Sequence, residues 1–322
     1  MLARTTEGVN VDASGGAGPG CAHTAGCGSI AAMDARTLID RRYSCRTYLE
    51  QLISAGDRAA LEECTARKTR GPLGTSARFA LVAASSDDEG ALKRLGTYGF
   101  IKGARGFIVG AVRKGPGHLE DYGYLLEEVV LEATGLGLGT CWLGGTFTRS
   151  TFTSRFGGVS RDEVIPAVVS TGYPADDGAG RIREREEGTR RFPTDELFFA
   201  DELGVPLGDG ADGYGEALEA VRMAPSATNK QPWRIVRRGD DWHFYLYRTK
   251  GYGKGSPWFK LLRIADLQRV DLGIAMCHFE LVARQDGLDG GWSVADPGLT
   301  LPGPGIEYTA TWRGSAPGGS RG

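Results

Sequence analysis

The fold follows from a stretch of 22 residues that occurs twice in the chain. Residues 121–142 read DYGYLLEEVVLEATGLGLGTCW, and residues 271–292 read DLGIAMCHFELVARQDGLDGGW. The two stretches align without a gap at an offset of 150 residues, where chance would give about one or two identities. The identical pairs are Asp121/Asp271, Gly123/Gly273, Leu131/Leu281, Ala133/Ala283, Gly137/Gly287, Leu138/Leu288 and Trp142/Trp292. This similarity predicts an internal duplication.

Both stretches are predicted to be helices. Their apolar residues recur at helical spacing, and each reaches a glycine suited to end a helix, Gly137 and Gly287. A charged helix and a strand precede each repeat helix, and a late strand follows it. The predicted flanking elements are helices at 58–67 and 215–223 and strands at 78–84, 106–112, 165–171, 233–238, 242–247 and 307–313.

This order predicts an α+β fold of two related halves that pack through the repeat helices. Residues 33–200 form the first predicted half and residues 201–313 the second, with the joint near 193–213, where Gly, Pro and Asp cluster. Residues 1–32 and 314–322 are small, glycine-rich and aperiodic, so we predict a disordered arm at each end. Met33 is an alternative start of the chain.

Composition excludes several classes of protein. The 322 residues include 50 Gly and 14 Pro without a G-X-Y period, which excludes collagen. A formal net charge of −2 provides no positive field for nucleic acid. No run of apolar residues reaches the roughly 18 that a bilayer helix needs, so no membrane partner is predicted. We therefore expect a cytoplasmic protein that acts on small molecules.

The sequence shows no catalytic side chains and no metal site. Cys21, His23 and Cys27 lie close together, but no second pair of ligands follows them. The motifs HExxH and GxSxG do not occur in the sequence. His278 in the second repeat helix is interpreted as a packed or capping residue. Chemistry by this chain is therefore expected to depend on a bound cofactor.

Three segments suit such a cofactor. Residues 41–46, RRYSCR, offer arginines and a hydroxyl that can hold a phosphate and its polyol, although a solvated basic turn is an equally good interpretation. Residues 140–145, TCWLGG, end in two glycines that allow close approach of the backbone, or form a simple turn. Residues 224–233, APSATNKQPW, form a proline-stiffened loop whose polar side chains can bond the edge of a flat heterocycle.

At these three segments the sequence resembles the FMN-dependent nitroreductase family, and in particular its "putative TM nitroreductase" branch. That family opens with Arg-x-Ser-x-Arg/Lys, has an Ala-Pro-Ser-x-x-Asn-x-Gln-Pro-Trp loop, and closes a helix with Gly-Leu-Gly-x-x-Trp-x-Gly-Gly. The resemblance covers residues 34–313 and implies the nitroreductase fold with FMN as cofactor. The cofactor contacts that it implies are Arg42, Tyr43, Ser44, Arg46, Leu143, Gly144, Gly145, Arg191, Ser226, Ala227 and Asn229.

The distribution of these motifs departs from the ordinary family. In ordinary members, which are homodimers, each subunit carries both the Arg opening and the Pro-Ser-x-x-Asn loop. The loop of one subunit contacts the flavin of its partner. Here residues 69–78, TRGPLGTSAR, have lost the loop pattern, and the second half lacks both the Arg opening and the trailing glycines. The retained parts belong to opposite halves, as one shared interface site requires. We therefore expect a monomeric pseudo-dimer that binds one FMN per chain.

The resemblance implies transfer of hydride from NAD(P)H through FMN to a nitroaromatic or quinone-like acceptor. Other FMN chemistry on the same scaffold is an alternative: ene reduction, reductive dehalogenation or flavin fragmentation. A flavin-binding or redox-sensing protein without catalysis is a second alternative, and a scaffold without ligand is a third.

Overall fold

The computed structural model describes residues 33–85, 92, 99–145, 147, 149–175, 190–252 and 265–314. The predicted arms, 1–32 and 314–322, lie outside these ranges except for Gly314, which is the last residue of a strand. The helices are α1 (Ala35–Arg41), α2 (Ala55–Arg67), α3 (His118–Gly135), α4 (Arg149–Arg155), α5 (Thr194–Leu197), α6 (Gly215–Met223) and α7 (Leu267–Gln285).

Ten described strands form two sheets. The strands are β1 (Ala77–Ala83), β2 (Gly106–Arg113), β3 (Gly139–Leu143), β4 (Glu163–Val164), β5 (Val168–Gly172), β6 (Phe198–Ala200), β7 (Trp233–Arg238), β8 (Asp241–Tyr247), β9 (Gly290–Ser293) and β10 (Ile306–Gly314). The first sheet has the order β1-β2-β5-β3, with the short β4 also paired to β2. The second sheet has the order β6-β7-β8-β10-β9.

The two sheets share one topology. In each half a helix leads into an antiparallel pair, β1-β2 or β7-β8, and a long helix then precedes the remaining strands, β3 to β5 or β9 and β10. Replacing β1, β2, β5 and β3 by β7, β8, β10 and β9 converts the first path into four neighbouring strands of the second sheet, which also contains β6 at its edge. The prediction of an α+β fold with two related halves is confirmed.

One strand departs from the predicted division of the chain. β6 lies within residues 33–200, the range predicted for the first half, yet it pairs in parallel with β7 in the second sheet. Phe198 is aligned with Ile235 in this pair. The end of the first half therefore completes the sheet of the second.

The long helices α3 and α7 cross at equivalent glycines. A Cβ at Gly123 would lie well under 3.0 Å from the carbonyl oxygen of Val270, and a Cβ at Gly273 would lie as close to that of Glu120. Glu120 and Val270 are themselves equivalent at the offset of 150. The contact therefore has the reciprocal form of a two-fold interface, in which only glycine lets the two backbones approach.

Both long helices end in the same way. The N–H of Leu138 donates to the carbonyl of Ala133 at 2.9 Å, and the N–H of Leu288 donates to that of Ala283 at 2.9 Å. Gly137 and Gly287 have φ angles of +77° and +75°. This is the Schellman cap, in which glycine adopts the left-handed conformation. The two predicted helix ends are confirmed.

The core lies between the two sheets, around the crossed helices. One continuous cluster of buried apolar side chains draws on both halves, from Leu61 and Leu126 in the first to Phe279 and Trp312 in the second. Each half alone would leave one face of its long helix uncovered. In the part of the chain that the structure describes, no helix is long and apolar enough to cross a bilayer.

Candidate functional site

The three predicted segments meet at one cavity of about 160 Å³ between the halves. The first half contributes the segment after α1 and the end of β3, and the second half contributes the start of α7 and the loop before β7. The residues that line the cavity are Ser44, Arg46, Cys141, Trp142, Gly144, Ala167, Pro225, Ser226, Ala227, Thr228, Leu267, Val270, Asp271 and Ile274.

The segment after α1 runs extended beside β3. The N–H of Cys45 donates to the carbonyl of Thr140 at 2.8 Å, and Ser44 forms a parallel bridge with the same residue. Successive side chains of an extended segment point to opposite sides. Ser44 and Arg46 therefore face the cavity, whereas Tyr43 and Cys45 pack into a buried cluster.

Arg42 lies deeper than Arg46. Its guanidinium is 5% exposed, and its Nε lies 3.7 Å from Oε1 of Glu127 on α3. Burial lowers the pKa of Arg42, and the negative charge of Glu127 opposes that shift. The cavity wall residue Cys141 is close to both arginines: burial raises the pKa of its thiol, and the charges of Arg46 and Arg42 lower it in part. One end of the cavity is therefore electropositive.

The end of β3 supplies the predicted backbone approach. The side chain of Leu143 packs into a buried apolar cluster, which leaves Gly144 on the cavity wall. A Cβ at Gly144 would lie well under 3.0 Å from the side chain of Leu267 on α7. Glycine at this position therefore lets α7 pack close to the end of β3, with the Leu267 side chain in the place that a side chain at 144 would take. Gly145 follows on the exposed side.

The loop at 224–233 has an unusual backbone. Thr228, Asn229 and Gln231 have φ angles of +50°, +53° and +45°, and none of them is glycine. Such conformations cost on the order of 1 kcal/mol each and persist where surrounding bonds fix them. One of these bonds joins Oγ of Ser226 to the N–H of Gln231 at 2.9 Å.

Residues 190–192 fix the other side of this loop. The Arg191 guanidinium donates at 2.9 Å to the carbonyls of Met223 and Ala224 and to Oδ1 of Asn229. Oε1 of Gln231 accepts from the N–H of Phe192 at 2.9 Å. The side chains of Arg191 and Asn229 thus bond to each other and to backbone, and neither lines the cavity. Their predicted contacts with phosphate and ring remain predictions, and their visible function is to hold the loop.

Glu127 connects the cavity to the second half. Its Oε2 accepts from the indole N–H of Trp142 at 2.8 Å, and its Oε1 lies 2.9 Å from Nε2 of His278. Nδ1 of His278 faces the carbonyl oxygen of Ala220 at 3.0 Å. Since a carbonyl oxygen only accepts, Nδ1 is the donor in this contact. His278 is packed, as the sequence indicates, and it links the halves.

Sequence reasoning missed the wall that α7 provides. Asp271 and Ile274 lie on the cavity, and both carboxylate oxygens of Asp271 face the N–H of Ala227, at 3.0 and 3.2 Å. Burial raises the pKa of Asp271 well above its usual range, Asp266 adds to the shift, and the Ala227 N–H opposes it. The sequence did contain one signal for this wall: Asp271 is identical to Asp121, and each is the first residue of its repeat stretch.

The equivalent positions of the other half carry different side chains. Tyr124 stands where α7 has Ile274, and its hydroxyl donates to Glu280 at 2.8 Å. Val294 stands where the cavity has Gly144. Asp121 retains its place, but its two oxygens accept from separate donors, the N–H groups of Leu73 at 2.8 Å and Thr75 at 2.7 Å.

Similar folds occur among crystal structures. A protein from Thermotoga maritima MSB8 described as a "putative nitroreductase" is 20% identical, with 92% of this chain and 99% of that chain covered and a TM-score of 0.55, which shows the shared fold. An FMN complex of another such protein, from Desulfovibrio desulfuricans, is 21% identical over 44% of this chain and 87% of its own, with a TM-score of 0.36. A nitroreductase with bound FMN from Bacteroides fragilis NCTC 9343 is 24% identical over 45% and 90%, with a TM-score of 0.35.

No curated protein matches the sequence significantly. The model of one protein family, described as "Putative TM nitroreductase", matches residues 35–283. The match includes the Arg-x-Ser-x-Arg opening, both long helices and the loop at 224–233, and it covers more than half of the chain. This chain therefore belongs to that nitroreductase family of oxidoreductases.

Proposed function

We propose that this chain is a monomeric FMN-dependent oxidoreductase that binds one FMN between its halves and uses NAD(P)H to reduce a nitroaromatic or quinone-like acceptor. The proposal depends on one observation: Ser44, Arg46 and Gly144 of the first half line the same cavity as the loop residues 225–228 of the second. Both halves are needed to form this cavity, and one chain supplies both.

The residues of the cavity fit the chemistry of FMN. Arg46 at the cavity and Arg42 behind it supply the positive charge that a phosphate needs, and Ser44 supplies a hydroxyl. On α7, Leu267, Val270 and Ile274 give an apolar wall suited to a flat ring. Because Gly144 has no side chain, its backbone forms part of the cavity wall between these two features.

Nine of the eleven predicted contacts then have a task at the cofactor, whereas Arg191 and Asn229 hold the loop. Arg42, Tyr43, Ser44 and Arg46 would hold the phosphate and ribityl chain, Tyr43 by fixing the segment from its buried side. The backbone at 143–145 would face the reactive edge of the ring, and Ser226 and Ala227 would border the ring from the second half. FMN, when bound, supplies the hydride chemistry. The protein positions the ring and the acceptor and stabilises developing charge.

Cofactor content tests the proposal most directly. The purified protein should be yellow, with one flavin per chain by absorbance and a monomeric mass by light scattering. Arg46→Ala should weaken flavin binding at least about tenfold, because it removes a charge-assisted bond to the phosphate. Arg41→Ala is the matched control, since Arg41 is exposed at the end of α1 and does not line the cavity. Two flavins per chain, or equal flavin binding in both variants, would contradict the assignment.

Turnover separates the enzyme from a flavin-binding protein. NADPH or NADH should bleach the bound flavin, and menadione or a nitrofuran should restore its colour with steady consumption of the reductant. A flavin that neither nicotinamide nucleotide bleaches would identify a binding protein in place of the proposed reductase.

A further inference from the structure

Asp271 is a buried carboxyl group on the wall of the candidate cavity. It lies in the second turn of α7, is 4% exposed, and lines the cavity beside Ser226, Ala227 and Thr228. Nothing in the motifs that define the cofactor segments accounts for a carboxyl group here. A second carboxyl group, Asp121, occupies the equivalent place on α3, which allows the two to be compared directly.

The two carboxyl groups differ in their hydrogen bonds. Each oxygen of Asp121 has its own N–H donor, at 2.8 Å from Leu73 and at 2.7 Å from Thr75, an arrangement that suits a carboxylate and opposes the rise in pKa that burial causes at Asp121. Both oxygens of Asp271 share the single N–H of Ala227. A neutral carboxyl group needs only one such donor and keeps an O–H to give, so the bonding of Asp271 suits the protonated form.

Burial and the carboxylate of Asp266, which is itself paired with Arg248 at 2.7 Å, favour the neutral form of Asp271. Burial raises its pKa, the Ala227 N–H lowers it in part, and the carboxylate of Asp266 raises it further. Tyr252, whose own pKa is raised by burial and by Asp271, adds a neutral phenol. From α3, Glu120 faces this turn but is paired with Arg269 at 2.6 Å.

On the cavity walls opposite α7, the ionisable groups are Arg46 and Cys141. The Cys141 thiol is neutral at physiological pH because burial raises its pKa. Arg46 is exposed, so its charge is screened by water.

We infer that Asp271 is the proton donor to the acceptor that is reduced in this cavity. The inference rests on the proposed function. In the balanced reaction the nicotinamide reductant gives up a hydride, and the acceptor gains the equivalent of that hydride together with the carboxyl proton of Asp271. An O–H bond of Asp271 breaks as an O–H bond of the acceptor forms. The resulting carboxylate recovers a proton from water at the cavity mouth.

Infrared difference spectra between pH values test the protonation state without turnover. Wild-type protein should show a neutral carboxyl C=O band at pH 7 that disappears at higher pH. The band should be missing in Asp271→Asn and present in Asp121→Asn, the matched control. Absence of this band from the wild type, or its persistence in Asp271→Asn, would overturn the inference whether or not the protein binds flavin.

Separate half-reactions test the role in proton transfer. Asp271→Asn should slow reoxidation of the reduced protein by menadione by about 10²- to 10⁴-fold, the usual contribution of a general acid. It should slow bleaching by NADPH by a much smaller factor, and the decline in reoxidation rate as pH rises through the pKa of Asp271 should be lost. Reoxidation at the wild-type rate with an unchanged pH profile would refute the proton donor.

These measurements separate the two proposals. Failure of wild-type protein to bind flavin or to oxidise NAD(P)H would refute the proposed function, whereas the infrared band would still report on Asp271. Normal wild-type turnover with an unaffected Asp271→Asn variant would refute the proton donor alone.

Discussion

The two halves of this molecule share a framework and differ at the cavity. Both have the same strand order, the same glycine at the helix crossing and the same Schellman cap. Facing the cavity, however, Ile274 corresponds to Tyr124 and Gly144 to Val294. The shared features all serve the packing of the halves, which needs both copies. The differing features lie at the candidate cavity, and the proposed function needs only one such site.

The helix crossing should give the largest effect, because a change there separates the halves. Gly123→Ala and Gly273→Ala each place a methyl group against a backbone carbonyl of the other helix. We expect each to lower the free energy of unfolding by about 3 kcal/mol, at the upper end of the usual range for overpacking. Denaturant titration measures this loss, and the two variants should agree.

Gly215→Ala is the control for the crossing. Gly215 is the first residue of α6, and a Cβ there meets no atom within 4 Å. Alanine should therefore be neutral or raise stability by up to about 1 kcal/mol. If only one of the variants Gly123→Ala and Gly273→Ala lost stability, the contact would not be reciprocal.

Substitutions at Gly144 and at its counterpart Val294 should differ in their effect on flavin affinity. Gly144→Val gives the cavity wall the side chain that the other half carries and forces it against Leu267, which already occupies that place. Flavin affinity should fall by at least about tenfold, or about 1.4 kcal/mol. Val294→Gly, at a side chain that is 67% exposed, should leave flavin affinity unchanged. Flavin titration of both variants decides whether one half holds the site, and a loss in Val294→Gly would contradict this.

The paired carboxyl groups should differ in their effect on stability. Asp121→Asn leaves one of two buried N–H donors without an acceptor and should cost about 1–3 kcal/mol. In Asp271→Asn the amide oxygen still accepts from Ala227, so the cost at pH 4 should stay below about 1 kcal/mol. Urea unfolding measures both, and equal losses would contradict the difference in bonding.

The pH dependence of the same pair has a definite sign. The pKa of Asp271 is raised in the folded protein, so the unfolded chain releases this proton first, near its usual pKa of 3.8. Wild-type stability therefore falls as pH rises from there to the pKa of the folded state. Asp271→Asn lacks this fall, so its stability relative to wild type should increase between pH 4 and pH 8. A constant difference across this range would show that the pKa of Asp271 is ordinary.

The helix caps should give the smallest effects, and equal ones. Gly137→Ala and Gly287→Ala force alanine into the left-handed conformation in otherwise open space. Each should cost about 1 kcal/mol. Thermal unfolding of the two variants measures this cost, and a clear difference between them would show that the caps are no longer equivalent.

Local signals in the sequence predicted most of the framework. The helix at 215–223 and the strand at 233–238 have the bounds that were expected, because glycine, proline and alternating apolar residues mark their ends. The three segments line one cavity, and the binding of a cofactor by the residues named for it stays a prediction. The prediction of one shared site used two arguments: which half carries each motif, and the need of an interface site for parts from both halves.

The features that were not predicted depend on tertiary partners. β6 is three residues long and pairs in parallel with a strand that begins 33 residues after it, so no local pattern marks it. β3 resembles a turn in sequence because glycines flank it. Asp271 belongs to a helix whose pattern is dominated by its buried face, and only its tertiary surroundings, the cavity and the single N–H of Ala227, distinguish it from Asp121. Arg191 and Asn229 bond to each other because residues 190–192 close over the loop.

The crossing of α3 and α7 also bears on how the chain is made. α3 is buried along almost its entire length, yet the helix that covers it begins more than 130 residues later. At the usual pace of translation, roughly 5–20 residues per second, the apolar face of α3 waits on the order of ten seconds for α7. During synthesis the first half is therefore an intermediate that exposes apolar surface and is prone to aggregate. We expect the yield of the protein in cells to depend more on how well chaperones protect this intermediate than on the stability of the finished fold.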